Sequence, residues 1–376
     1  MTEKVLRFLE QTQLPTPCLV VDLDKVEENY NALQRAMPDA RIYYAVKANP
    51  APELLARLVA LGAYFDVASL GEIEDALAAG SPPERLSYGN TIKKESDIAR
   101  AYELGVRLFA FDAGAELQKI ARAAPGARVF CRILASGDGA DWPLSRKFGC
   151  TPAMAVDLLR AAPELGLNAW GVSFHVGSQQ RNPMQWDQAL ETVAEIFRIL
   201  EAESGIELGM VNLGGGFPSR YGEDVPEPEA YGEAIRDSLL QRFGNRQPEI
   251  IVEPGRGLVG DAGVIETEVV LIARKGDEDD RRWVYLDIGK FSGLAETMEE
   301  AIRYPIESHR PGAAEPVVIA GPTCDSADVL YDRANYRLPR DLAIGDRLRI
   351  HATGAYTTTY ASVGFNGFAP LRSMCI

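Results

Sequence analysis

Ile42-Tyr43-Tyr44-Ala45-Val46-Lys47-Ala48-Asn49-Pro50 is an apolar run that ends on a lysine and is then broken by Asn-Pro. Such a run reads as a buried strand, with Lys47 at its C-terminal end. A lysine there can snorkel to solvent. Alternatively, burial can free its amine as a nucleophile for an aldehyde. The rest of the chain decides between them. From residue 41 onward, short β-branched and aromatic runs alternate with alanine- and leucine-rich stretches of about three helical turns. Strands are expected at 42–46, 64–67, 86–88, 107–111, 128–133, 169–174, 210–213 and 250–252. Helices are expected between them at 52–61, 70–79, 94–104, 115–123, 152–161, 183–203 and 229–243. Eight strands in this rhythm predict a closed (β/α)8 barrel rather than an open doubly wound sheet.

Outside that repeat the pattern changes. Residues 1–15 read as a short helix, residues near 16–22 as a strand, and Asp24 as the N-cap of a helix reaching Met37. After Pro254, runs at 264–274, 283–288, 316–319 and 347–352 alternate or stay apolar, and the one helical stretch is 295–304. The expected organisation is a barrel over 24–257 and a C-terminal β-sandwich or barrel-like domain over 258–376, to which the early strand would be added.

Composition narrows the function. Lys plus Arg number 39 against 54 Asp plus Glu, a net charge of −15, which disfavours nucleic acid and anionic membranes as partners. The five cysteines, at 18, 131, 150, 324 and 375, form no CxxC pair, and with three histidines they predict neither a disulfide framework nor a metal site. A cytoplasmic protein with no secretion signal and no apolar run long enough to span a membrane is expected.

Active sites of (β/α)8 barrels lie where the strands end. Here those ends carry Lys47, Asp66 to Ser69, Gly89-Asn90, Arg132, His175 to Gln179, Gly214-Gly215-Gly216-Phe217-Pro218 and Glu253-Pro254-Gly255-Arg256. Singly, each has an ordinary reading: a tight turn for the glycines, a satisfied core histidine, or a salt bridge from Glu253 to Arg256 or Arg132. Together they supply an amine, a flat ring, a carboxylate suited to a pyridine nitrogen, bare backbone N–H groups for a phosphate, and an arginine clamp. That set describes pyridoxal 5′-phosphate (PLP). There is no GxGxxG after a first strand to suggest a nicotinamide cofactor.

Tyr44 to Asn49, Phe65 to Ser69, Arg146-Lys147-Phe148-Gly149, Phe174 to Ser178, Gly214 to Pro218, Glu253 to Arg256, Gly321 to Asp325 and Gly354-Ala355-Tyr356-Thr357 resemble the fold type III PLP-dependent amino-acid decarboxylases, the ornithine and diaminopimelate decarboxylase family, across essentially the whole chain. The resemblance implies that Lys47 holds PLP as a Schiff base, oriented by Asp66. His175 would stack on the ring, Glu253 pair with its nitrogen and Arg132 support its edge. Ser178, Gly214, Gly215, Gly216, Arg256 and Tyr356 would hold the phosphate. It also implies a head-to-tail homodimer in which Cys324 and Asp325 reach the partner's PLP, Cys324 reprotonates Cα, and Lys147 bridges the subunits to Asp328.

The substrate's far end separates the branches. A distal ammonium needs a carboxylate, and a distal carboxylate needs an arginine. Cys324-Asp325 is similar to the ornithine branch and departs from the Cys-Glu-Ser of the diaminopimelate branch. Asp325 is therefore expected at the distal ammonium, with a turn-forming aspartate as the lesser alternative. Asp287 to Met298 looks like the bacterial ornithine/lysine enzymes, which puts Phe291 and Glu296 near the substrate. The expectation is L-ornithine decarboxylation to putrescine, with L-lysine to cadaverine second. Diaminopimelate decarboxylation, a fold type III racemase and a catalytically silent regulatory homologue are the alternatives.

Overall fold

The computed structural model describes residues 2–142, 146–278 and 281–376. The chain divides into two compact units, one made of Met1–Val26, Ser219–Asp224 and Arg256–Ile376, the other of Glu27–Pro218 and Val225–Gly255.

In the second of these, eight parallel strands close into a barrel: Ala40–Ala45, Tyr64–Val67, Leu86–Tyr88, Leu108–Phe111, Arg128–Arg132, Asn168–Ser173, Met210–Asn212 and Glu249–Val252. These are the eight runs singled out from the periodicity, and the seven helices fall between them as expected. The strands are short and almost wholly buried because helices cover their outer faces and side chains fill the interior. Tyr43, Leu108, Ala110, Phe130, Met210 and Ile251, from five different strands, meet in one apolar cluster. The circle closes where Ile250 to Val252 pair with Ala40 to Ile42. Lys47 lies two residues beyond its strand, in a 3-10 turn over Val46–Ala48. The expected strand end at Val46 is thus a residue too long, because Asn49-Pro50 turns the backbone. A small two-stranded sheet, Ala140–Trp142 against Ser178–Gln180, was not expected.

The other unit is built on a nine-stranded mixed sheet. Its longest strand, Gly263–Ala273, pairs antiparallel with Cys18–Val21, Arg282–Leu286 and Arg347–His351. Cys18–Val21 also pairs in parallel with Arg372–Cys375, so the first and last strands of the chain lie in one sheet. Two local expectations are corrected. The helix Leu23–Ala36 begins before Asp24, and its cap is Asp22, whose side chain accepts from Asp24 N at 3.1 Å and whose carbonyl accepts from Val26 N. The stretch expected as a helix over 295–304 is a 3-10 segment, Ala295–Glu300, broken at Met298 and Glu299; Glu299 and Glu300 have positive φ.

Tight barrel closure is testable at Gly171. A Cβ there would fall well inside van der Waals contact of the Met210 carbonyl on the neighbouring strand. Gly171→Ala is expected to destabilise the protein by about 1–3 kcal/mol, read as a lowered midpoint in thermal or urea unfolding.

Candidate active site

The barrel rim assembles the residues at the strand ends. Lys47 Nζ lies 3.0 Å from Asp66 Oδ2; the lysine side chain is 47% exposed and the aspartate is buried. The other oxygen, Asp66 Oδ1, is buried without a hydrogen-bond partner. It faces Gly89, where a Cβ would collide with it, so the third strand must leave the barrel on a glycine. Asn90 Nδ2 donates to Ala68 O at 3.2 Å and ties that exit to the previous one.

A second lysine could be mistaken for Lys47. Lys93 is completely buried, with Nζ 2.6 Å from Ala110 O, 2.7 Å from Asn90 O and 3.0 Å from Glu116 Oε1. Burial pulls its pKa down to about 8, but its N–H donors are engaged in bracing adjacent βα units.

His175 follows the sixth strand. Its Nδ1 accepts from Gly177 N at 2.9 Å, which assigns the proton of the neutral ring to Nε2. Burial, then Arg132 and Lys47, push its pKa down to about 3, so the ring is uncharged at neutral pH. Arg132 has its guanidinium 5.1 Å from the centre of the Phe148 ring.

Gly214 and Gly216 have φ of +67° and +105°. A side chain at Gly215 would meet Glu253 O at 2.6 Å and His175 Nε2 at 3.3 Å. The loop therefore runs bare over both residues. It is held by Trp186 Nε1, which donates to Leu213 O at 3.1 Å, and by Gly216 O, which accepts from Gln180 N at 2.9 Å; Ser178 starts that same short strand.

Glu253 ends the set. Burial, then Asp66, push its pKa up to about 7, against the opposing pull of Lys47, Asn212 and Arg132. Two residues that sequence reasoning missed complete the rim. Asn212 donates from Nδ2 to Glu253 Oε1 and accepts from Gly214 N at 2.9 Å. Glu72 Oε2 accepts from Ala68 N at 2.7 Å while Ser69 Oγ accepts from Glu72 N, a reciprocal cap that the Ser-x-x-Glu spacing could have disclosed.

Apart from Lys147, whose Nζ lies 5.0 Å from the centre of the Phe148 ring in the barrel unit, the remaining predicted residues belong to the other unit. Arg256 is buried and forked onto Glu296, Nη1 to Oε2 at 2.8 Å and Nη2 to Oε1 at 2.6 Å, with Nη1 also donating to Tyr221 Oη at 2.7 Å. Its guanidinium carbon is 5.0 Å from the centre of the Tyr356 ring. Glu296 was expected to face a substrate amine. Instead both its oxygens neutralise Arg256, because a guanidinium so deeply buried requires a counter-charge. Cys324 is exposed, its N donating to Asn366 Oδ1 at 3.0 Å. Asp325 is exposed and accepts from Ala327 N at 2.8 Å, a turn-forming contact. Asp328 is buried and accepts from Lys290 N, Thr323 N and Thr323 Oγ1. The Phe291 and Phe365 rings lie with their centres 4.8 Å apart and their planes tilted by 44°.

The pyridoxal-binding domain of the pyridoxal-dependent decarboxylases matches residues 23–260. The chain is 36% identical to a lysine/ornithine decarboxylase of Selenomonas ruminantium over 98% of this chain and 91% of that one. The crystal structure of SrLDC with PLP and cadaverine superposes with a TM-score of 0.90 at 35% identity, covering 100% of this chain and 94% of that chain. A lysine/ornithine decarboxylase from Vibrio vulnificus, solved with cadaverine, gives 0.90 at 30% identity, covering 100% and 99%. The barrel rim fits the cofactor of this family. It offers an accessible amine, an orphaned carboxylate oxygen on Asp66, an uncharged ring, a buried carboxylate and a glycine cradle that no side chain could enter.

The Arg256–Glu296 fork yields a stability test. Glu296→Ala leaves a buried guanidinium without its counter-ion and should cost about 3–5 kcal/mol in urea unfolding. Arg256→Met combined with Glu296→Leu should recover most of that loss.

Proposed function

The chain belongs to the pyridoxal-dependent decarboxylases, and from that membership we propose that it removes the α-carboxylate of a basic diamino acid, L-ornithine first and L-lysine second. The observation that carries this reading is the convergence at one rim of an amine on Asp66, a neutral His175 and a buried Glu253 beside a bare glycine loop.

When bound, PLP supplies an electron-poor ring that accepts the electron pair left as the carboxylate departs. The protein's own groups do the rest. Lys47 holds the cofactor and Asp66 aims its amine. His175 offers an uncharged flat face, and the Gly177 N–H donated to its Nδ1 fixes the ring's orientation. Glu253 holds a proton on the pyridine nitrogen. Gly214 commits its N–H to Asn212 Oδ1, so of the expected phosphate contacts Gly215 and Gly216 offer backbone N–H groups and Ser178 its hydroxyl.

Cys324 and Asp325 complete the reading. Both are exposed on one turn, so a second copy of the chain can receive them: the Cys324 thiol would return a proton to Cα and Asp325 would pair with the distal ammonium. We therefore propose a homodimer with shared sites. One methylene distinguishes the two substrates, a difference of about 1–3 kcal/mol, which permits dual use. No helix among the described residues is long and apolar enough to cross a membrane, and a cytoplasmic location is proposed with the rest.

Purified protein supplied with PLP and a panel of ornithine, lysine, arginine and meso-diaminopimelate should release CO2 with putrescine and cadaverine. Turnover of diaminopimelate alone, chiral inversion without CO2, or no turnover of any substrate would replace the reading with one of its alternatives. Lys47→Ala should lose both turnover and the visible absorption of the bound cofactor. Asp325→Ala should raise KM for ornithine about tenfold or more, the loss of one charge-assisted contact.

A further inference from the structure

Glu253 does not stand alone at the end of its strand. Asn212, fully buried at the end of the neighbouring strand, donates from Nδ2 to Glu253 Oε1 and accepts at Oδ1 from Gly214 N, 2.9 Å away. Glu253 N in turn donates to Gly214 O at 2.8 Å. Three hydrogen bonds thus link Asn212, Gly214 and Glu253 in a closed cycle. The amide cannot be turned over: Gly214 N–H can only donate, so Oδ1 must face it and Nδ2 must face the carboxylate. Glu253 Oε1 therefore always meets a donor, and Oε2 is the oxygen left over.

We propose that Asn212 is the positioning residue of Glu253: its amide locks the carboxylate to the glycine loop and commits Oε1, so that Oε2 faces the cofactor as an ionised acceptor. This role rests on the pairing of Glu253 with the pyridine nitrogen.

The charged and titratable groups around the carboxylate show why a donor is required there. Asp66 opposes ionisation of Glu253, Lys47 and Arg132 favour it, and His175 is neutral and contributes no charge. Burial opposes it more strongly than any neighbour. The balance lies close to neutral pH, where losing one donor shifts the carboxylate toward its protonated form. An aspartate at 212 has the same shape and still accepts from Gly214, but it turns a carboxylate toward a carboxylate, and such a pair shares a proton. Asn212→Asp therefore removes the donor and little else.

The test compares parent, Asn212→Asp and the exchange variant Asn212→Asp/Glu253→Gln, each prepared without cofactor and titrated with PLP across pH 5.5–8.5 by visible absorption. Asn212→Asp should bind PLP about tenfold more weakly at pH 7, with the acid limb of its binding and kcat profiles moved up by about one unit, and KM for ornithine within about twofold of the parent. The exchange variant swaps donor and acceptor. It should regain PLP affinity and melting temperature, but not kcat, because an amide cannot hold the ring proton. Unchanged PLP affinity and an unmoved acid limb in Asn212→Asp would overturn the proposal, as would a rise in KM alone. A parent that binds PLP but decarboxylates nothing would sink the proposed function, and the PLP titration would still judge Asn212.

Discussion

Closing eight parallel strands into a ring is the constraint on which the rest depends. Because every strand runs the same way, every strand delivers its next residues to the same rim. The cost of that arrangement is a ring of polar backbone and side-chain groups next to a dry interior. The chain answers with glycines where backbones pass too closely for a Cβ and with carboxylates and amides where donors would be orphaned. Lys47, Asp66, His175, Asn212 and Glu253 are near one another because the barrel has no other place for them.

Charge in the interior obeys the same logic in both units. Lys93 is buried against Glu116 and two carbonyls, and Arg256 against Glu296 and Tyr221. Each cation has its partners in its own chain, and Lys93 is thereby held in a structural role. Lys47 differs in kind. It has an anion beside it, yet its side chain is half exposed, which is the combination a reactive amine requires.

Much of this was legible in the residue order. Runs such as Tyr64–Val67 and Leu86–Tyr88 are short, apolar and spaced by amphipathic helices, and strand and helix periods are local properties. The polar residues after each run were visible for the same reason. Glu72 and Asn212 were not recognised. A glutamate one turn into a helix reads as solvated charge, and an asparagine before a triple glycine reads as part of the turn. Glu296 was assigned to a substrate amine because a sequence does not show which cation a carboxylate will meet across 40 positions.

Residue order by itself determined the barrel, its eight strands and the collection of reactive groups at their ends, because these arise from periodicity and from the one-way topology of parallel strands. Tertiary structure alone decided the pairings. Asn212 meets Glu253 41 positions away, and Arg256 is neutralised by Glu296. Hydrogen bonds and charge compensation act through space, over a few ångströms that only the closed fold brings about.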